Sequence, residues 1–481
     1  MKMQNIKEYE YSILIAALNG ESEKLENMLQ RKTYSNMSIG GYISELFVAT
    51  CLNNASIVEM LLTKSLGKSD EDHSYDRIMQ SSFLAACVYG FEDIVRLLLE
   101  FGNNFNKFSE TTISPLCIAA KYGHLRVVKL LIEQGFDPNT IDSENMSPLY
   151  ISALYDYSDI AQYLLEQKSN VDFRYTDNST SLYISSFLNH VTIVKLLLQY
   201  KCNTDLVNIN NETPLFVASQ MNHLEIVRLL LENGCDLNRC NKYKETPLHT
   251  AVQFLHKDIV QLLLENKCDP NLRDNNEDSP VCTLIRQYCN HRFLKNRDDV
   301  LEILKLLLEY NCDPNLYNKN KESPLLLATL DYSYCGEEIL ELLLKHNCDP
   351  NLCDLENISP LYVATAHHNI SAVEILLSNN ADPDLCDMDK KSPLHLASKG
   401  GNIEIVTLLL NHKCNPDLCD VNEETQPKDV YNGEGYNSGN SKSINSIRYR
   451  FQILFYYIHV VVLYKLVIIC ICSLHFVMLI L

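Results

Sequence analysis

A thirty-three-residue interval separates Pro115 from Pro148, Pro214 from Pro247, Pro247 from Pro280, and Pro360 from Pro393. Most of these prolines sit in a common triplet: Ser114-Pro115-Leu116, Ser147-Pro148-Leu149, Thr213-Pro214-Leu215, Thr246-Pro247-Leu248, Ser323-Pro324-Leu325, Ser359-Pro360-Leu361 and Ser392-Pro393-Leu394. Ser181 takes the proline's place in one unit, and weaker units can be placed at Ile13, Glu45 and Ser82, for about twelve in all. Self-similarity at this period constrains the fold more than any local propensity does. It calls for units that cannot bury their apolar faces alone and are stable only when stacked.

The residues of one unit explain its shape. A Ser or Thr hydroxyl accepts a bond from the open amides of a first helical turn, and proline just inside that turn loses no intrahelical bond. Each triplet therefore starts a helix. A small residue four positions on (Ala119, Ala218, Ala251, Ala328, Ala364, Ala397) lets a neighbouring helix approach. A short break follows, then a run such as Leu224-Glu225-Ile226-Val227-Arg228-Leu229-Leu230-Leu231 with apolar residues at helical spacing. Stretches such as Asn233-Gly234-Cys235-Asp236-Leu237-Asn238 close the unit with helix-stop and turn chemistry.

This pattern resembles the ankyrin repeat, with its Thr-Pro-Leu-His-x-Ala helix start, leucine-rich second helix and hairpin loop. Thr246-Pro247-Leu248-His249-Thr250-Ala251 carries the whole start motif, and the resemblance spans roughly residues 10 to 425. It implies an all-α ankyrin-repeat solenoid of stacked helix-turn-helix units joined by hairpin loops. Residues 1–41 are expected to form a degenerate first repeat or cap, 42–425 the array, 426–447 a polar linker, and 451–481 an apolar helix.

Charge and cysteine usage narrow the function classes. With 61 acidic and 41 basic residues the net charge is -20, which repels phosphate backbones and argues against a nucleic-acid partner. Many of the 18 cysteines recur with the repeat. Cys202, Cys235, Cys268, Cys312, Cys348 and Cys414 follow the second helix, and Cys240, Cys353, Cys386 and Cys419 lie in the hairpin loop. Equivalent positions in stacked units should be roughly 8–10 Å apart. A disulfide needs Cα atoms within about 7 Å, so the first series reads as small buried filler in a reducing compartment.

No catalytic constellation emerges. Cys282, Cys289 and His291 have no fourth ligand at usable spacing. His249, His395, His124 and His223 recur with the structural period, which points to structural bonding. The chain has no Walker loop, dinucleotide fingerprint or nucleophile elbow. A non-enzymatic protein with no cofactor and no metal is expected.

The resemblance implies a scaffold or adaptor, monomeric and cytoplasmic, that binds other proteins through hairpin tips and first helices. The tip positions are Asn210, Asn211, Tyr243, Asn276, Lys319, Asn320, Glu356, Asp389 and Lys390. A step of 44 from Pro280 to Pro324 marks an insertion around Gln287 to Arg297, which is either a tolerated surface insertion or, through Arg292, Lys295 and Arg297, a basic docking loop for an acidic partner. The resemblance also implies hydroxylation candidates at Asn139, Asn238, Asn271, Asn315 and Asn351, for which turn formation is the alternative reading.

The tail departs from the pattern. After Asp420 to Thr425 begin another unit in phase, a Gly/Asn/Ser linker leads to Arg448, Arg450 and a mostly apolar run from Phe451 to Leu481 containing Lys465. About 20 apolar residues cross a bilayer, so a membrane tether is one reading, with Arg448 and Arg450 on the cytosolic side and Lys465 near an interface. A spliced end joined to a longer ankyrin protein and packing onto the last repeat are the others. A substrate-recruiting subunit of a ubiquitin ligase and the arm of an ion channel remain functional alternatives.

Overall fold

The computed structural model describes residues 46–65, 73–101, 114–290, 297–330, 336–418 and 420. Among them every regular element is a helix. First helices such as Pro115–Lys121, Pro148–Tyr155, Pro214–Gln220, Pro247–Gln253, Pro360–Ala366 and Pro393–Lys399 alternate with second helices such as Leu125–Glu133, Ser158–Glu166, Leu224–Glu232, Lys257–Glu265, Ile370–Ser378 and Ile403–Asn411. First helices pack on the first helices of neighbouring units, second on second, and each pair packs together, which makes two parallel layers.

The expected helix starts are present. Pro115, Pro148, Pro214, Pro247, Pro324, Pro360 and Pro393 open their helices, each behind a Ser or Thr whose hydroxyl accepts the amide three residues on. Thr180 does the same where Ser181 replaces proline, the Tyr183 amide lying 3.2 Å away. Ser82 differs from expectation. It lies inside a 17-residue helix, His73–Tyr89, instead of opening one. No proline stands there to remove an amide or clash with the preceding turn, so the helix continues upstream.

Ala119, Ala218, Ala251, Ala328, Ala364 and Ala397 are buried where first helices meet. Ser152 and Ser185 occupy the same place in two units and turn their hydroxyls back onto the Pro148 and Ser181 carbonyls at 2.7 and 2.8 Å. That internal bond lets a hydroxyl sit in an apolar layer without an unmade bond. On the second helices the leucine-rich face is buried, as at Ile226, Val227 and Leu230, and one apolar core extends from Leu46 to Cys414.

The first cysteine series fills that core. Cys202, Cys235, Cys268, Cys312, Cys348 and Cys414 are buried, and Ala381 stands at the equivalent place in one unit. Burial pushes the thiols of Cys202, Cys235, Cys268 and Cys312 up to about 12, so they remain protonated. In the loop series Cys240 is exposed, while Cys353 and Cys386 are half-buried with sulfur 3.5 and 3.2 Å from the Asn351 and Asp384 carbonyl oxygens. Among the described residues no group of histidine, cysteine and carboxylate could hold a metal ion.

The insertion lengthens both helices of its unit at the edge opposite the hairpin loops. Helix Pro280–Asn290 has 11 residues and Arg297–Glu309 has 13, against 7 and 9 in Pro247–Gln253 and Lys257–Glu265. Arg297 opens the second of these and pairs with Glu338 of the next unit at 2.6 Å. Arg292 and Lys295 lie outside the described residues, as do the unit placed at Ile13, Glu45 itself, Cys419, the 426–447 linker, and the tail with Arg448, Arg450 and Lys465, whereas the rest of the Glu45 unit is described, with Ala49 buried and a second helix Ala55–Ser65. Among the described residues no helix is long and apolar enough to cross a membrane.

His249 is fixed at a helix start. Its Nδ1 accepts the Thr246 amide at 3.2 Å while its own amide donates to the Thr246 hydroxyl, and its Nε2 faces the Asp278 carbonyl oxygen of the next unit at 3.1 Å. Desolvation holds this imidazole's pKa below its usual value, against the raising effect of that carbonyl. A depressed folded-state pKa stabilises the fold above the unfolded pKa of about 6.5 and is lost as pH falls through the folded value. Urea unfolding between pH 7.5 and 5 should therefore show a loss of stability on acidification that is smaller in His249→Leu. An equal loss in both proteins contradicts this role.

Candidate functional site

The hairpin edge is held by a continuous chain of side-chain-to-backbone bonds. Asn139 Oδ1 accepts the Asn170 amide of the next loop at 2.7 Å, and Asn170 Oδ1 accepts the Asp172 amide at 3.1 Å. Asp172 Oδ1 then accepts the Asn203 amide at 2.9 Å. The alternation proceeds through Asp205, Asn238, Asn271, Asn315, Asn351 and Asp384, whose carboxyl or amide oxygens each accept an amide of the following loop at 2.7–2.9 Å. These links usually join residues 31 apart, and join residues 42 and 34 apart where the unit is longer. The loop link is thus kept in the longer units.

All five hydroxylation candidates, Asn139, Asn238, Asn271, Asn315 and Asn351, are acceptors in this chain. The Nδ2 groups of Asn271, Asn315 and Asn351 also reach the Asn311, Asn347 and Asn380 carbonyls at 3.3–3.4 Å.

Farther out, the tips carry a second ladder. The Asn210 carbonyl accepts the Lys242 amide at 2.8 Å, Tyr243 accepts from Asn275 at 2.9 Å, and Asn276 accepts from Lys319 at 2.9 Å. Asn320 and Glu356 accept from Leu355 and Met388, each at 3.2 Å. The side chains of Tyr243, Asn276, Lys319, Asn320, Glu356 and Asp389 are exposed at this edge. Lys242 Nζ lies 2.7 Å from Asn210 Oδ1 and 5.0 Å from the Tyr243 ring centroid, which joins two predicted tip residues into one patch. Asn211 and Lys390 have φ of 60° and 57°, so they supply the left-handed turn as well as exposed surface.

The opposite edge, where first helices end, is stitched by histidines. His124 Nε2 lies 2.8 Å from the Val88 carbonyl oxygen of the preceding unit, and His190 Nδ1 lies 2.8 Å from that of Ala153. His223 and His256 reach Phe187 and Gln220 at 3.0 and 3.1 Å. Each of these four histidines thus bonds a carbonyl oxygen of the preceding unit.

Beside this seam runs a feature that the motif reading missed. Tyr89, Tyr122, Tyr155, Leu188, Met221 and Phe254 recur at intervals of 33 and occupy the same place at the end of successive first helices. Tyr89, Tyr122, Tyr155, Met221 and Phe254 are 39–55% exposed, and Leu188 is half-buried. Rings stack along the seam, Tyr89 on Phe91 at 5.5 Å, Tyr155 on Tyr157 at 6.2 Å and Phe254 on His256 at 6.0 Å. The available signal was an apolar residue at one fixed offset from each helix start, a place where solvent exposure favours polar groups.

The inter-loop bonds require an acceptor oxygen, which asparagine and aspartate both provide. Asn238→Asp should therefore change the urea midpoint little, whereas Asn238→Ala leaves the Asp269 amide without its partner and should cost about 1 kcal/mol. Equal destabilisation by the two substitutions contradicts this.

Comparison with known proteins agrees with the architecture. The profile described as ankyrin repeats (3 copies) matches residues 46–142, 82–177, 116–208, 182–274 and 291–387, and the single ankyrin repeat profile matches 389–421. Among solved structures, an ankyrin repeat domain from Acinetobacter baumannii AYE is 25% identical, with a TM-score of 0.39 over 42% of this chain and 98% of its own length. No curated protein matches the sequence. Sequence profile, helix starts, stacked helix pairs and hairpin loops agree: this chain belongs to the ankyrin repeat family.

Proposed function

We propose that this protein is a non-catalytic scaffold or adaptor whose binding face is the first-helix layer, bounded by the hairpin tips on one side and the exposed apolar strip on the other. Ankyrin repeats are protein-protein interaction modules, which sets the class. The observation that carries the reading is the strip of Tyr89, Tyr122, Tyr155, Leu188, Met221 and Phe254, because apolar groups left in water at one repeated place are what a binding surface requires. The stitched edges on both sides hold that surface rigid, which limits the ordering cost of association.

The same reading treats the protein as a cytoplasmic monomer without cofactor. Tethering through residues 451–481 is a separate part of the proposal that the described residues do not bear on. His124, His190, His223, His249 and His256 and most of the described cysteines are accounted for by packing and inter-unit bonds, which supports a binding role over catalysis.

Cross-linking capture with the full chain tests this. The captured set should fall at least several-fold in Tyr243→Ala/Asn276→Ala or in Tyr122→Ala/Tyr155→Ala. It should persist in Arg228→Ala/Gln261→Ala, which alters the exposed side of second helices. Retention of every partner by both face variants, with loss in the second-helix variant, contradicts the assignment.

A further inference from the structure

The apolar strip has a spacing, a charge pattern and an end, and together these select one kind of occupant. Stacked first helices with small residues between them repeat at roughly 8–10 Å, which sets the distance between successive strip side chains. A helix laid along the strip returns a side chain to the same side about every 10.5 Å, outside that range, so its contacts drift out of register over successive units. A β-strand offers same-face side chains at about 6.6 Å or 13 Å, and its intermediate residue points away. A polyproline II segment has three residues and about 9.3 Å per turn, so every third side chain falls on one face in step with the repeats.

The chemistry agrees with that geometry. Strip residues Tyr155, Leu188, Met221 and Phe254 and the residues just before them, Leu154, Phe187, Gln220 and Gln253, are uncharged in a chain of net charge -20, and the exposed Asp156 sits in the left-handed turn just past Tyr155. Lys121, beside Tyr122, acts on the Tyr155 hydroxyl together with Glu144 and makes no ion pair among the described residues. The hydroxyls of Tyr89, Tyr122 and Tyr155 are likewise without a hydrogen-bond partner among the described residues, unlike the hydroxyls of Tyr150 and Tyr183. A polyproline II backbone has no internal hydrogen bonds, so its carbonyls are open to such donors.

The strip also has enough surface to matter. Aromatic side chains that bury 150–250 Å² each, at about half exposure, give roughly 300–500 Å² from Tyr89, Tyr122, Tyr155 and Phe254. That is a large part of the roughly 800 Å² that a partner contributes to a stable interface. After Phe254 the strip ends, because helix Pro280–Asn290 continues past the equivalent place.

We propose that the strip from Tyr89 to Phe254 docks a proline-rich, polyproline II segment of another protein. That segment carries an apolar residue at every third position, no charge along that face, and a carboxylate near the end that meets Lys121. The proposal rests on the protein-binding reading above but is more specific than it.

Selection of random 18-residue peptides displayed on phage against the full chain tests both levels. The expected result is a consensus of proline and apolar residues at a three-residue period. Affinity of the selected peptides should fall by roughly tenfold or more in Tyr122→Ala/Tyr155→Ala. The loss should be smaller in Tyr122→Phe/Tyr155→Phe, where only the hydroxyls are removed. Circular dichroism and urea unfolding confirm that the variants retain the fold. A proline-free consensus of period seven, or peptides that bind the strip variants unchanged but are lost in Tyr243→Ala/Asn276→Ala, overturns the polyproline assignment and leaves the protein-binding reading standing. No enriched peptide, together with no partner in the cross-linking capture, overturns both.

Discussion

The bond from an Asn or Asp side-chain oxygen in one loop to a backbone amide in the next is the constraint on which the array depends. It fixes the distance and direction between loops, and so the orientation of each following helix pair. Helices of 7 and 9 residues have little independent stability in water. Their apolar contacts define how closely units approach, but apolar contact is not directional. The loop bonds supply direction, at 2.7–2.9 Å through successive units.

This division of labour explains where the chain tolerates irregularity. The longer unit beginning at Pro280 keeps its loop link, from Asn271 to the Asp313 amide, and lengthens its helices at the opposite edge. Arg286 then bridges buried Asp278 at 2.8 Å and approaches Glu322 at 3.8 Å, joining adjacent loops from within. Burial pushes Asp278 up to about 7 against the pull of that guanidinium, so the carboxylate is held in place at a desolvation cost. The described ends of the insertion thus extend the two helices that flank it, and Arg297 pairs with Glu338 of the next unit.

Much of this fold was legible because each rule acts within a few residues. Thr246-Pro247 announces a helix start through a single cap bond, and Cys268 announces a small buried site through its period. The asparagines were recognised as turn residues, but their bonds to the next loop were not legible, since an acceptor 31 residues away leaves no mark in local sequence. His73 to Ser81 were missed as helix because the repeat rule places the start at Ser82, where the lack of proline allows continuation. The apolar strip was hidden because tyrosine, leucine, methionine and phenylalanine share exposure and position without sharing a motif.

Directional loop bonding is the source of order in the stack, and amide hydrogen exchange reads that bonding directly. The amides of Asn170, Asn203, Asp236, Asp269, Asp313, Asp349 and Asp382 are the donors between loops. They should exchange as slowly as amides in the second helices of the same units, although they lie in exposed loops. Exchange at the rate of unbonded loop amides, with the helices still protected, would contradict the account.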